Sequence, residues 1–390
     1  MPGMIRTAFT LPDRKRWTGG YQYFINLFRV LRKYGGGRVR PVVYVGEDVA
    51  AADLASINDG MADIVRSPDF SASSVGLRLA RALLTGSDGQ AARIYRNHGI
   101  QVVFESARYH GWRFPLPTIA WLPDFQHRRL PGIFSVGDWL RREIGFRAQI
   151  ASARAIMLSS ESSRVECAKY YPGSRERIRV VPFAAELPPE ALSLSVAGVM
   201  SKYALPVEFF YLPNQFWVHK NHRVVIDALK LLQGRGVSAV VAASGALADY
   251  RHPELLQRLE SRVAELGLGR QFRFLGLIPR EDVYALMRGA VAIVNPSLSE
   301  GWSTNVEEAR SLGVPMVLSD IAVHREQAAG RAMFFDPHSP PAAADVLQLA
   351  LSAPRVSLDE ASQERRTLDN EDRLGRYAKN FEFLIEEVVS

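Results

Sequence analysis

Short apolar runs alternate along this chain with longer segments in which apolar residues recur at helical spacing. This alternation is typical of βαβ units, in which helices connect the parallel strands of one sheet. In the first half it predicts a helix over residues 21–34 and strands over 6–9, 40–45, 102–105, 118–121, 155–159 and 178–182. In the second half it predicts strands over 209–212, 239–244, 272–275, 291–295 and 315–318, with helices between them. We therefore expect an α/β protein with two doubly wound, Rossmann-like sheets.

The pattern lapses between residues 184 and 206, where Ala, Ser, Leu and Pro predominate, as is usual where a chain crosses between domains. We place an N-terminal domain at 1–183, a linker at 184–206 and a C-terminal domain at 207–371. Residues 372–390 predict an amphipathic helix that could cross back to the N-terminal domain. Six apolar side chains share one face of it: Leu374, Tyr377, Ala378, Phe381, Leu384 and Ile385. Two such sheets would place a ligand at the carboxyl ends of their strands, in a cleft between the domains.

The length of 390 residues suits two domains, and 47% hydrophobic with 23% charged residues is typical of soluble globular proteins. The single cysteine, Cys167, excludes an internal disulfide and cannot build a thiolate metal site alone, so we expect a reducing compartment. The N-terminus lacks the apolar core of a signal peptide, and no run of about 18 apolar residues occurs. We expect a cytoplasmic protein, peripheral at the inner face of the cell membrane if it contacts lipid. A net charge of +7 favours anionic partners.

The most informative stretch, PSLSEGWSTNVEEARSLGVPMVLSD, covers residues 296–320 and joins a predicted strand to a predicted helix. We predict that this helix begins with a capping box over Thr304–Glu307. The loop before it then meets free N–H groups and the positive end of the helix dipole, which suits a phosphate, and Gly301 lets the backbone come close. Glu300 and Glu308 could flank a polyhydroxylated ligand. Taken alone, however, such a pair is more often a cap and a surface charge.

A second strand, polar loop and helix are predicted in YLPNQFWVHKNHRVVIDAL, residues 211–229. Lys220 in this loop could present its ammonium group to a phosphate of a bound ligand and stabilise its negative charge. His219 and His222 are three residues apart, as metal ligands on one helix face can be. Because no third ligand is evident, we expect no metal.

The stretch EGWSTNVEEARSLGVPMVLSD, in which Glu300 and Glu308 enclose seven residues, resembles the E-x7-E signature of a large family of retaining glycosyltransferases. This is the GT4 family, whose members have the GT-B fold. The resemblance implies that Glu308 binds the ribose of the nucleotide and that Glu300 contacts the donor sugar. It also implies that Ser303 and Thr304 hold the diphosphate through their backbone amides.

The loop of Lys220 departs from the family pattern. Members of the family usually have Gly-Arg about five residues before the lysine, where this chain has Asn214 and Gln215. Either Gln215 supplies a neutral hydrogen bond in place of the cation, or another basic residue such as Arg223 compensates. Asn214 and Gln215 are in both cases expected next to the nucleotide sugar.

Weaker correspondences lie elsewhere in the chain. Gly19 and Gly20 match the glycine pair of the first loop in the family, which faces the diphosphate. The segment PDFQH resembles the version in bacterial polysaccharide enzymes and implies that His127 reaches the donor hexose, with Asp124 as its partner. Around Leu277 the chain matches the segment in which the base rests on the main chain.

The resemblance implies metal-independent transfer, with retention, of a hexosyl unit from a UDP-, GDP- or other nucleotide-diphosphate sugar. The acceptor would be a hydroxyl of a glycan or a lipid-linked molecule, with no cofactor, in the synthesis of a cell-surface polysaccharide. Two alternatives keep the same fold. One is a catalytically silent nucleotide-sugar-binding protein, which the glutamine at Gln215 makes plausible. The other is a GT-B nucleotide-sugar epimerase.

Other classes of protein fit less well. An NAD-dependent oxidoreductase would need G-x-G-x-x-G after its first strand, and this chain has none there. We expect no nucleic acid, because the basic residues lack the aromatic interleaving of a stacking platform. Residues 138–150 place apolar side chains among arginines. They are a candidate for peripheral contact with an anionic membrane, and a buried helix is the other interpretation.

Overall fold

The computed structural model describes residues 3–13, 17–57, 60–106, 108–354 and 360–390. The chain divides into two compact units. Unit 1 comprises Met1–Phe125, Val136–Glu186 and Glu371–Ser390, and unit 2 comprises Gln126–Ser135 and Leu187–Asn370. Among the described residues, no helix is both long and apolar enough to cross a membrane.

Unit 1 contains a seven-stranded parallel sheet in the order β3-β2-β1-β4-β5-β6-β7. Its strands are β1 (Ile5–Thr10), β2 (Val39–Val45), β3 (Asp63–Arg66), β4 (Val102–Ser106), β5 (Thr118–Trp121), β6 (Ala155–Leu158) and β7 (Ile178–Val180). Six of them were predicted from apolar runs. Strand β3 was missed because none of its four residues is fully buried. The strand order reverses between β1 and β4, which makes their carboxyl ends the switch point of this sheet.

The helices of unit 1 alternate with its parallel strands, as is usual in doubly wound folds. They are α1 (Thr18–Tyr34), α2 (Ala51–Leu54), α3 (Val75–Thr85), α4 (Gly89–Asn97), α6 (Val136–Ser152) and α7 (Glu161–Tyr170). Residues 371–390, the last part of α15 (Glu360–Val389), also belong to unit 1. The six apolar side chains of the predicted C-terminal face are all buried there. Phe381 stacks on Phe9, and Glu382 accepts hydrogen bonds from the backbone N–H groups of Gly36 and Arg38.

Unit 2 contains a six-stranded parallel sheet in the order β10-β9-β8-β11-β12-β13. Its strands are β8 (Phe210–Leu212), β9 (Val241–Ser244), β10 (Phe272–Gly276), β11 (Ile293–Asn295), β12 (Met316–Ser319) and β13 (Met333–Phe335). The strand β13 was missed, because only Phe335 in it is buried. Here the order reverses between β8 and β11, so the switch point lies at the ends of these two strands.

The helices of unit 2 are α5 (Gln126–Arg129), α8 (Val196–Lys202), α9 (His222–Gly234), α10 (Leu255–Glu265), α11 (Arg280–Gly289), α12 (Thr304–Leu312), α13 (Ala322–Ala328) and α14 (Pro340–Ser352). The segment expected to be a linker, 184–206, contains α8. In it Ala191 and Val199 are buried in one cluster with residues of β8 and α11. From Leu187 onward the segment therefore belongs to unit 2 and contributes side chains to its core.

Candidate functional site

Two polar loops of unit 2 lie side by side, because the strands that precede them are neighbours. Strand β8 pairs with β11 through Tyr211 and Ile293. The loop 213–221 leads from β8 to α9, and the loop 296–303 leads from β11 to α12. Both loops leave the sheet at its switch point, where open α/β sheets bind their ligands.

Asn295, the buried last residue of β11, connects the two loops. Its Oδ1 accepts hydrogen bonds from Asn214 Nδ2 at 3.1 Å and from Ser297 Oγ at 2.6 Å, and its Nδ2 donates to Ser303 Oγ at 3.0 Å. The amide of Asn305 on α12 donates to Asn214 Oδ1 at 2.7 Å. The predicted residue Asn214 therefore holds the loops together. The role of Asn295 was not predicted from the sequence. Its place as a polar residue at the end of an apolar strand was the feature that could have indicated a contact between loops.

The predicted residues Lys220 and Glu300 form an ion pair. The ammonium Nζ of Lys220 lies 2.5 Å from Glu300 Oε1, and the two side chains are 14% and 9% exposed. The hydroxyl oxygen of Ser297 lies 2.7 Å from the same carboxylate oxygen. A backbone hydrogen bond of 2.8 Å from the N–H of Leu298 to the carbonyl of His219 joins the loops at this point. The cation and the carboxylate are thus fixed at one position beside the switch point.

Glu308, on the second turn of α12, is buried and bound by a residue that sequence reasoning missed. The guanidinium of Arg280 donates to Glu308 Oε1, and the hydroxyl of Tyr284 lies 3.4 Å from the same oxygen. Burial raises the pKa of the Glu308 carboxyl, and the charge of Arg280 opposes that rise. The Arg280 side chain is itself 41% exposed. The sequence feature that could have drawn attention to Arg280 is its position at the start of α11, directly after Pro279.

The start of α12 differs from the predicted capping box. The helix begins at Thr304 with Ser303 at the N-cap, and no side chain caps it. Gln327 Oε1 instead accepts from the N–H of Ser303 at 3.0 Å, and Gln327 Nε2 donates to the carbonyl of Ser303 and to Glu307 Oε1. The buried carboxylate of Glu307 also accepts from Arg310 at 3.2 Å. The capping box was therefore wrong, because a tertiary partner satisfies these groups.

The engagement of Ser303 changes what α12 can offer a phosphate. The Ser303 N–H was predicted to hold the diphosphate together with Thr304, and Gln327 already takes it. The first-turn N–H groups of a helix have no partner within the helix, so Thr304 remains available for that role. Gly301, in the preceding loop, is buried among these groups.

Three further predicted side chains, Arg223, Gln215 and Leu277, differ in their exposure and position. Arg223 is 72% exposed and pairs with Asp227 at 3.5 Å, as an ordinary surface pair on α9. Gln215 is half-buried in the loop after β8. Leu277, predicted near the base, is 81% exposed directly after β10. Of these three side chains, Gln215 is the one that lies in a loop of the site, next to Asn214.

A buried histidine, His324, contacts Ser319, which in turn binds the loop that carries Glu300. Ser319 Oγ, at the end of β12, donates to the carbonyl of Ser297 at 2.6 Å. His324 Nδ1 lies 3.0 Å from both the hydroxyl and the carbonyl oxygen of Ser319. Burial lowers the pKa of His324 to about 4, against the nearby charge of Glu300, so the ring is neutral at pH 7.

The remaining predicted residues lie outside these two loops. His127 is buried on α5, in the segment 126–135 that packs with the rest of unit 2. His252 Nε2 lies 3.0 Å from the carbonyl of Ile133 in that segment, and Arg251 lies over the ring of Phe134. Asp124, expected as the partner of His127, pairs with Arg142 at 2.5 Å.

Gly19 and Gly20 lie in the first turn of α1 in unit 1. A Cβ atom on Gly20 would come within 2.4 Å of the Trp17 ring, whereas one on Gly19 would have no atom nearer than 3.9 Å. The second glycine is thus required by packing. Contact of either glycine with a diphosphate stays a prediction.

Comparison with known proteins places these loops in a family. The model of the family described as "Glycosyl transferases group 1" matches residues 206–373, which include both loops, Glu300 and Glu308. Over 168 of its 390 residues the chain is therefore similar to the group 1 glycosyltransferases. The solved structure of HepE from Anabaena in complex with UDP and glucose has a TM-score of 0.68 at 14% identity, over 98% of this chain and 99% of that one. The fold is therefore GT-B.

Two proteins to which this chain is similar come from Escherichia coli. The serotype-specific mannosyltransferase WbdA is 26% identical over 228 residues, which are 58% of this chain and 25% of WbdA. The O-antigen chain mannosyltransferase B is 27% identical over 244 residues, which are 59% of this chain and 61% of that protein. The matched part thus spans about a quarter of the first relative and less than two thirds of the second.

Proposed function

We propose that this chain is a retaining hexosyltransferase that moves a hexosyl unit from a nucleotide-diphosphate sugar to a hydroxyl of a glycan or lipid-linked acceptor, in the synthesis of a cell-surface polysaccharide. One observation carries the proposal: Glu300 is paired with Lys220 at the switch point of a group 1 glycosyltransferase domain, with Glu308 on the adjoining helix. The names of the relatives support the polysaccharide setting, because one of them acts on the O-antigen chain.

Glu308 is the group that binds the ribose in this proposal. Its Oε1 is occupied by Arg280 and Tyr284, and its other carboxylate oxygen accepts no hydrogen bond from the described residues. A carboxylate oxygen accepts readily from a vicinal hydroxyl. In this proposal the base rests beside the exposed Leu277, and the UDP and glucose bound to HepE are consistent with a nucleotide sugar as donor.

Lys220 and Glu300 act together on the diphosphate and the sugar. An ammonium group has three N–H donors, so Lys220 can keep its bond to Glu300 and still donate to a phosphate oxygen. In the transfer, the bond between the anomeric carbon and the diphosphate breaks while the acceptor oxygen attacks from the same face. The acceptor proton passes to the departing phosphate oxygen. Lys220 and the start of α12 stabilise the charge that develops there, so no metal is needed.

Release of nucleoside diphosphate from UDP- and GDP-hexoses, with NMR of the sugar product, tests the proposal. We expect slow release without an acceptor, and the first sugar anomer formed should be that of the donor. Lys220→Ala should lower the rate by roughly 10² to 10³, as removal of a charge-stabilising group does. The neighbouring Arg223→Ala should leave the rate unchanged, since Arg223 is an exposed cation paired with Asp227.

The alternatives give different products. A silent binding protein would show a ligand-induced rise in melting temperature without release of nucleotide. An epimerase would convert the nucleotide sugar into its epimer. Either of these results, or an unchanged rate in Lys220→Ala, would contradict the proposed transfer.

A further inference from the structure

Helix α3 of unit 1 turns its apolar residues toward solvent. Of its eleven residues only Arg78 and Ala82 are buried. They are four residues apart and so share the inward face. The side chains on the other faces are exposed and almost all apolar: Val75, Leu77, Leu79, Leu83 and Leu84. A helix that packs on a sheet ordinarily has the reverse distribution.

This orientation of α3 is fixed by its single buried charge. Arg78 Nε donates to Asp88 Oδ2 at 2.6 Å, and its guanidinium lies over the ring of Phe70. Arg78 Nη1 also donates to the carbonyl of Asp69 at 3.3 Å. Rotating the helix to bury its leucines would break this buried ion pair, which is strongly destabilising. The leucines are therefore held outward.

Trp112 extends the apolar surface at the end of α3. The backbone N–H of Arg113 donates to the carbonyl of Gly86 at 2.7 Å, and a Cβ atom on Gly86 would lie 2.9 Å from the Trp112 ring. The indole is nevertheless 57% exposed. We call the five exposed apolar residues of α3 together with Trp112 the α3 patch. Its size and contiguity on one helix mark it as an interaction surface.

Arginines outnumber acids in the segment that contains the α3 patch. Residues 75–113 contain six arginines and two acids, and both acids, Asp88 and Glu105, are buried. Two of the arginines adjoin the α3 patch and form no ion pair within the described part of the chain. They are Arg81, which lies on α3 itself, and Arg113, whose side chain lies beside Gly86 at the C-cap of α3. The surface is thus apolar with unneutralised cations, which matches an anionic partner.

Helix α6, which contains residues 138–150, the candidate for membrane contact named from the sequence, differs in its charge. It also exposes Leu140 and Ile144. Its arginines, however, are neutralised by carboxylates of the protein. The pairs are Arg141 with Asp138 at 2.8 Å, Arg142 with Asp124 at 2.5 Å and Arg147 with Glu143 at 2.6 Å. Positive charge that is free to meet a lipid headgroup is therefore found beside α3.

We propose that the α3 patch is a docking surface for an anionic lipid bilayer. The leucines and Trp112 enter the interface between headgroups and acyl chains, and Arg81 and Arg113 contact the headgroups. Neither the helix nor its arginines belong to the donor site of unit 2. The proposal therefore holds or fails independently of the proposed sugar transfer.

Co-sedimentation of the full chain with vesicles tests this docking surface. We expect binding to vesicles of phosphatidylcholine mixed with phosphatidylglycerol, weak binding to phosphatidylcholine alone, and a decrease as salt screens the arginines. The double variant Leu77→Glu with Leu84→Glu should bind anionic vesicles at least about tenfold more weakly. Both side chains are exposed, so this variant should fold, and its far-UV circular dichroism and melting temperature should match those of the wild type.

The matched control is the double variant Leu140→Glu with Ile144→Glu, which places the same charges on α6. It should bind vesicles like the wild type. Absence of vesicle binding by the wild type at low salt would overturn the proposal, and so would equal binding by the α3 variant. A third result would also overturn it: self-association in sedimentation velocity that the α3 variant abolishes, without vesicle binding, would make the surface a contact between copies of the chain.

Discussion

Two buried histidines near the site make the stability of the fold sensitive to acid. Burial lowers the pKa of His222 to about 3 and that of His324 to about 4, from an ordinary value of 6.5. Between the lowered pKa of each histidine and 6.5, the unfolded chain binds a proton at that histidine and the folded chain does not. The contribution of the two neutral histidines to the free energy of unfolding is therefore complete above about pH 7. It falls as the pH decreases from 6.5 toward 4.

We expect each histidine to cost about 2 kcal/mol of stability when the pH is lowered from 7.5 to 5.0. Urea unfolding at the two pH values measures this loss. His222→Phe should recover about 2 kcal/mol of it, because a phenyl ring keeps the stacking on Phe216, at 4.3 Å, without taking up a proton. The exposed His338→Gln is the control and should change nothing. A loss on acidification that is equal in wild type and His222→Phe would refute this account.

Residue roles could be predicted from the sequence only where local pattern and chemistry coincide. Lys220 and Glu300 were named from their loops, and the structure brings them into contact. Arg280 was missed, because its contact with Glu308 spans 28 residues and depends on how β10 and β11 are ordered in the sheet. Glu307 was misassigned as a cap, because its actual partner, Gln327, comes from another helix.

At the scale of elements, a glycine after β9 sets the position of the loop that carries Lys220. Gly245 has φ +150°, and a Cβ atom there would lie 2.5 Å from the carbonyl oxygen of Asn214 and 2.8 Å from Gln215 Cα. Both neighbours are backbone atoms and cannot rotate away. The chain ends of β8 and β9 thus approach as closely as the backbone permits, which is a usual reason for glycine.

Gly245→Ala should lower the melting temperature, since strained backbone of this kind costs roughly 1–3 kcal/mol. It should also weaken any rise in melting temperature caused by a nucleotide, because the loop of Asn214 must shift. Gly234→Ala is the matched control: it lies at the end of α9 with no atom within 4 Å of its Cβ position. Differential scanning calorimetry measures both. A melting temperature in Gly245→Ala equal to that of the wild type would contradict the role of the glycine.

Most elements could be predicted because buried parallel strands are continuous apolar runs. Strands β3 and β13 escaped because their exposed or half-buried residues lack that signal. Helix α3, for which the sequence pattern gave no prediction, shows a different limit. Its leucines would ordinarily be assigned to a core, and only the buried pair of Arg78 with Asp88 explains why they face solvent.

At the scale of the molecule, the sequence indicated the α/β class and the GT-B fold, and comparison with solved structures confirmed both. The extent of the units was harder to predict. The boundary of a unit depends on packing: residues 187–206, although weakly patterned, cover one face of the sheet of unit 2 through α8. The segment 126–135 packs with unit 2 although the residues on both sides of it belong to unit 1.

The central claim is that unit 2 binds a nucleotide sugar through Glu308 and the loops beside it. Calorimetric titration of UDP and GDP into the wild type and into Glu308→Gln tests it most directly, with the exposed Glu265→Gln on α10 as control. We predict that one nucleotide binds, that Glu308→Gln weakens its binding by at least about tenfold, as loss of a charged hydrogen-bond acceptor does, and that the control binds normally. If Glu308→Gln bound the nucleotide as tightly as the wild type, or if neither nucleotide bound, the site would be wrongly assigned.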